Sequence, residues 1–210
     1  MFLIPRILHC LFNSRANECS ASSSSATMFR IVLRYVKTVR AGDAVSADLN
    51  TKYKMIIAVE GINGSGKSFF IENLQRYLQA RGRESIVCKM PMYEQTQHMN
   101  NKADAIKAFL SGKRSFNRKN VDLMFKKNRL CSWKLFVQPA IDAGKIVILD
   151  RSVLSGIVYA DLRALAETHN PITQAELHAI TGGEETPSLF VFLDTCPSIA
   201  VERLKKRKTD

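Results

Sequence analysis

The residues of this chain best suited to chemistry sit in one short segment, Gly61-Ile62-Asn63-Gly64-Ser65-Gly66-Lys67-Ser68. The spacing G-x-x-x-x-G-K-[ST] describes a loop whose backbone N–H groups wrap a polyphosphate. Its lysine reaches the outer oxygens and its hydroxyl holds Mg²⁺. Glycine at 61, 64 and 66 removes the Cβ atoms that would stop the chain curling around an anion. A helix beginning near Gly66 then points its free N–H groups and the positive end of its dipole at the same place. Gly61, Asn63, Gly64, Ser65, Gly66, Lys67 and Ser68 are therefore expected to bind a nucleotide with its metal.

A second candidate group is Leu149-Asp150-Arg151-Ser152, which follows the apolar run Ile146-Val147-Ile148. An aspartate at a strand end beside a phosphate loop binds Mg²⁺ directly or through water, and an arginine there grips phosphate with two parallel N–H groups. A structural Asp–Arg pair capping the next helix is the competing reading. Asp194 also ends an apolar run, but Pro197 suits the first turn of a helix, so Asp194 is expected to be structural.

Strands have to carry these loops. Met55–Val59, Ser85–Cys88, Ile146–Asp150 and Leu189–Asp194 read as strands that are apolar at nearly every position. Helices are expected over Lys67–Ala80, Ala103–Leu110, Asn120–Ala143, Val153–Glu167 and Thr173–Ile180, with one more from Ser198 into the basic end. Strands buried on both faces and separated by helices imply an α/β doubly wound parallel sheet with helices on both sides. Ligands bind at the carboxyl ends of its strands.

Composition narrows the class further. With 210 residues and 46% hydrophobic content the chain can bury one good core. Its net charge of +12 divides into +5 over residues 1 to 54 and +7 beyond. The second excess is diffuse, which suits an enzyme handling small phosphorylated substrates better than a nucleic-acid binder. Five cysteines without C-x-x-C or zinc-type spacing argue against a disulfide framework or structural metal. No apolar run is long enough to span a bilayer.

Residues 1–53 read as an N-terminal extension, rich in Arg and Ser and poor in acids, that resembles an organelle transit peptide. That composition implies a mitochondrial location. A disordered leader on a cytoplasmic protein, or an extension upstream of a start at Met28, are the alternatives. Residues 54–210 form the expected catalytic domain.

The blocks VEGINGSGKS, LMFKKNR at Leu123 to Arg129, GKIVILDRSVLSGIVYA at Gly144 to Ala160 and PSLFVFLDTCPSIAVERLKKR at Pro187 to Arg207 resemble, in order and spacing, those of the thymidylate kinases. That resemblance implies a P-loop nucleoside monophosphate kinase that transfers the γ-phosphate of ATP to dTMP with Mg²⁺, usually as a homodimer. By position, Lys67 and Ser68 would serve the ATP phosphates and Mg²⁺. Asp150 would serve the metal, and Arg151 the phosphates between donor and acceptor. Phe125 would stack on thymine and Arg129, one helical turn later, would hydrogen-bond the base. Ser155 and Tyr159 share a face of the next helix, and Tyr159 resembles the aromatic that crowds the 2′ side of the sugar. The terminal basic run matches the start of the family's lid, so Arg203 or Arg207 would neutralise transition-state charge. Core packing for Phe125 and a solvated basic tail are the plainer alternatives.

The chain departs from the family pattern at three places. Asn63 stands where an acid is common, and the loop Met90-Pro91-Met92-Tyr93-Glu94 lacks the arginine expected for the acceptor phosphate. Lys89 or Lys102 is the available substitute, with weaker acceptor binding expected. The chain also ends at the lid, before a further strand and helix, which would leave the edge of Leu189–Asp194 unpaired and prone to aggregation. Two alternatives remain: a deoxynucleoside kinase acting on thymidine, and a catalytically impaired nucleotide-binding homologue.

Overall fold

The computed structural model describes residues 30–34, 54–93 and 100–207. Five strands form one sheet: β1 (Arg30–Arg34), β2 (Ile56–Glu60), β3 (Ser85–Lys89), β4 (Ile146–Asp150) and β5 (Leu189–Asp194). Their spatial order is β1-β5-β2-β4-β3. The last four are mutually parallel, and β1 runs antiparallel to β5.

Strands β2 and β4 are buried at every position, which places them in the middle of the sheet with both faces covered. On one face Ile57, Val59, Ile146, Ile148, Val191 and Leu193 meet Phe70, Ile71, Leu74 and Leu78 of helix α1 (Lys67–Gln79). The alternate residues Ile56, Ala58, Val147 and Leu149 face Trp133, Val137, Ala140 and Ile141 on the other side. The period of two in each strand is what divides its apolar residues between these two layers. Each fully buried aliphatic side chain contributes about 1.5–3 kcal/mol, so truncating Leu78 would cost about 2–5 kcal/mol.

The remaining helices are α2 (Asn100–Leu110), α3 (Arg118–Ser132), α4 (Gln138–Asp142), α5 (Val153–Thr168), α6 (Gln174–Ile180) and α7 (Pro197–Lys206). Side chains fix their starts. Asn117 Oδ1 accepts from Asn120 N–H, Ser152 Oγ accepts from Leu154 N–H, and Thr173 with Glu176 forms a reciprocal capping box.

The structure corrects two expectations. The single helix expected over Asn120–Ala143 is α3, a π-helical turn at Trp133–Val137, and α4. Pro139 has no N–H to continue an α-helical ladder, and the backbone widens ahead of it: Gln138 N–H bonds to Trp133 O, five residues back. The edge of β5, expected to be unpaired, is covered by β1, with Ile31 opposite Leu193, Val32 opposite Phe192 and Leu33 opposite Val191. The transit-peptide reading otherwise falls outside the described residues. Among the described residues no helix is long and apolar enough to cross a membrane.

Candidate active site

The phosphate loop leaves the carboxyl end of β2 and runs into α1. Gly61, Gly64 and Gly66 have φ of 146°, 82° and 93°. At Gly64 a Cβ would lie 2.4 Å from Ala200 O, so only glycine lets the loop pass this close to α7. Two bonds brace the loop from the β5 side. Thr195 Oγ1 donates to Ser65 O at 3.1 Å, and Arg203 Nη1 donates to Gly64 O at 3.1 Å.

Lys67 folds back over the loop, its Nζ donating to Gly61 O at 3.0 Å and Ile62 O at 2.8 Å. Burial, followed by the Arg151 guanidinium, pulls its pKa from the usual 10.5 to about 8. Asp150 and Glu60 oppose the shift and Lys89 adds to it. Four charged side chains therefore converge on this ammonium. Ser68 is exposed on the first turn of α1.

Asp150 ends β4 with Val59 of β2 and Lys89 of β3 as its register partners. It is buried, and its Oδ1 has no hydrogen-bond partner among the described residues. Ser65 Oγ, inside the loop, is orphaned in the same way. An unpartnered buried carboxylate oxygen is costly unless something positive occupies the space beside it. Among the described residues no cluster of three or more His, Cys, Asp or Glu could hold a metal on its own. One carboxylate and one hydroxyl suit Mg²⁺, which keeps several waters and takes further ligands from phosphate.

Arg151 follows in a left-handed conformation, φ 74°, that turns the chain sharply off the strand. Its Nη2 donates to Asn63 Oδ1 at 2.7 Å and its Nη1 to Ser155 Oγ at 3.1 Å. The guanidinium carbon lies 5.8 Å from the ring centre of Tyr159. The structure thus brings Asn63, Lys67, Asp150, Arg151, Ser155 and Tyr159 to one mouth of the sheet. Arg203 reaches the same loop from α7, whereas Arg207 is exposed at the end of that helix.

Phe125 and Arg129 lie on the facing side of α3. The guanidinium of Arg163, itself ion-paired to buried Asp122, lies 5.9 Å from the centre of the Phe125 ring. Arg129 is 5% exposed and bonded to Glu184 and to the carbonyl of Ile180. A Cβ on Gly156 would fall 2.9 Å from Arg129 Nη1, so the arginine packs directly against α5 one residue beyond Ser155.

Sequence reasoning missed Glu60 and Glu184. Glu60 is 7% exposed and accepts from Ser152 N–H, Ser152 Oγ and Ser155 Oγ. Its signal was present, since an acid ending a fully buried strand needs partners. Glu184 had no local signal.

A family model for thymidylate kinase matches residues 59–210. The thymidylate kinase of Leptospira borgpetersenii serovar Hardjo-bovis (strain L550) is 31% identical over 154 residues, covering 73% of this chain and 70% of the relative. That of Chlorobium luteolum is 30% identical over 159 residues, covering 74% and 69%. A probable thymidylate kinase of Archaeoglobus fulgidus is 28% identical over 158 residues, covering 73% and 70%. Phosphate loop, Asp150–Arg151 turn and the facing surfaces of α3 and α5 all fall inside the matched stretch, and the chain belongs to the thymidylate kinase family.

Proposed function

We propose that this chain transfers the γ-phosphate of ATP to dTMP, giving ADP and dTDP for dTTP biosynthesis, with Mg²⁺ as the metal. The observation that carries this reading is the orphaned Asp150 Oδ1, buried beside Arg151 and a phosphate loop whose lysine donates to two backbone carbonyls. Phosphoryl transfer asks little covalent help of a protein; it needs two phosphates aligned and their charge neutralised.

Loop N–H groups and Lys67 take the donor phosphates, Lys67 exchanging its two carbonyl contacts for phosphate oxygens. Ser68 and Asp150 would hold Mg²⁺, which would supply positive charge to the donor phosphates. Arg151 leaves Asn63 and Ser155 to lie between donor and acceptor. An acceptor-phosphate oxygen bonds to the γ-phosphorus as the bond to the β–γ bridging oxygen breaks, and ADP departs with that electron pair. Arg203, anchored on the loop, and Arg207 supply further positive charge over the donor. Lys89, register partner of Asp150, is the acceptor-phosphate cation in place of the missing arginine. Phe125, Arg129, Ser155 and Tyr159 receive the base and sugar.

The active species is a homodimer. Leu154, Val158, Leu162 and Leu165 are exposed at spacings that place them along one face of α5, a stripe that a second copy of the chain would cover.

Coupled ADP release with ATP, Mg²⁺ and dTMP, thymidine or dUMP tests the reading. Turnover on dTMP is expected. Turnover on thymidine alone would select a deoxynucleoside kinase, and tight ATP binding with no turnover an impaired homologue.

A further inference from the structure

We infer that Glu184 is a positioning residue that fixes Arg129 as a one-directional donor and so sets the selection for a base with an oxygen at pyrimidine C4. This deepens the function proposed above and rests on it.

Arg129 has no freedom to swing. Its Nε donates to Glu184 Oε1 at 2.8 Å and its Nη2 to Ile180 O at 2.8 Å, with both side chains of the ion pair under 10% exposed. The Ile180 carbonyl ends α6, where the helix dipole also favours a cation. The loop that brings Glu184 here is fastened to α3. Lys126 Nζ donates to Ala179 O and Thr181 O, and Gly182 and Gly183 turn the chain at φ 83° and 86°. The φ of 86° at Gly183 favours glycine, and a Cβ there would also displace Leu130 Cδ2, 2.7 Å away, so the loop lies close against α3.

With two of its nitrogens committed, Arg129 is left with Nη1 directed at Gly156, the residue after Ser155 on α5. A guanidinium only donates hydrogen bonds. Held there, it donates to a carbonyl oxygen on a base edge and opposes an exocyclic amino group, which presents N–H against N–H. Rejection of this kind is strong because the mismatched site leaves buried polar groups unpaired. An arginine free to rotate would turn away from the wrong base and discriminate less.

The test is steady-state kinetics of the full chain with dTMP and dCMP as competing acceptors, comparing the parent with Glu184→Ala. The variant is expected to raise the dTMP KM about tenfold while kcat stays within about twofold, and to lower the dTMP:dCMP ratio of kcat/KM about tenfold. A plain structural tether would lower the melting temperature and leave that ratio alone. A folded Glu184→Ala with an unchanged ratio overturns the inference. Should that variant not fold, Glu184→Asp keeps the charge but shortens its reach and is read on the same ratio, where no change again overturns it. If the parent itself turns over no monophosphate, the proposed function fails rather than this assignment alone.

Discussion

A single carboxylate oxygen of Glu60 receives both the backbone N–H and the hydroxyl of Ser152, at 2.7 Å and 2.6 Å. Its other oxygen takes the hydroxyl of Ser155 at 2.6 Å. Ser155 in turn accepts from Arg151, so the last residue of β2 governs where the Asp150–Arg151 turn sits. The three donors satisfy both oxygens of an acceptor-only group, and this is why a buried acid is tolerated at the end of an apolar strand.

Replacing Glu60 by Gln presents an amide N–H to one of these donors. The expected cost is about 1–3 kcal/mol of stability, with a fall in kcat larger than any change in dTMP KM because Arg151 loses its alignment. Thermal melts and steady-state kinetics check both. A variant with the parent's kcat would show that the turn is held some other way.

Lys67 is expected to make nucleotide binding depend on pH. Its pKa in the folded protein lies below the ordinary value, so the unfolded chain binds this proton more tightly. The unfavourable contribution of the charged side chain is therefore full below about pH 8 and is relieved as pH rises from about 8 towards 10.5. The free protein gains stability across that window. A bound polyphosphate raises the pKa again, so ATP binding near pH 8 should take up a proton and weaken as pH rises further. Calorimetry in two buffers of different ionisation enthalpy reads the uptake directly. Lys67→Met should abolish both the buffer dependence and most of the affinity, and heats independent of buffer in the parent would contradict the assignment.

Asp150→Asn keeps the shape of the side chain and removes its charge. The Mg²⁺ concentration for half-maximal rate should rise at least about tenfold, while the melting temperature in the absence of nucleotide should fall, because the buried Lys67 ammonium loses a compensating charge. A magnesium titration of the rate, run beside a melt, separates these effects. An unchanged magnesium requirement would remove Asp150 from the metal site.

Strand β1 protects an edge. A chain beginning at Met28 retains it, whereas a chain beginning at Lys54 leaves the β5 backbone open to pairing with other molecules. The shorter form should associate in light scattering, and the β5 amides should lose protection from hydrogen exchange. Equal protection in both forms would show that β1 adds nothing.

Local chemistry made the phosphate loop legible, because wrapping an anion demands glycines and a lysine at fixed spacing within a few residues. The four parallel strands were legible for a similar reason: burial on both faces leaves an unbroken apolar run, as in Ile146 to Leu149. Position in that scheme placed Asp150 and Arg151 at the mouth of the sheet. The π-helical turn was harder to read, since Pro139 announces a lost hydrogen bond but not whether the helix will break or widen.

Contacts between segments far apart in the chain were hidden. Glu184 stands 55 residues from Arg129, and nothing in its neighbours marks it as that arginine's partner. Residues 30 to 34 read as part of a basic leader, and only the assembled sheet, with an unfilled place beside β5, gives their backbone N–H and C=O groups partners. Sequence by itself determined the glycine-rich turn after β2 and which strands are buried, because both follow from residue type and short-range spacing. Tertiary structure alone decided which acids hold Arg129 and the Arg151 turn and what closes the sheet, because those pairings depend on where the folded backbone brings distant residues together.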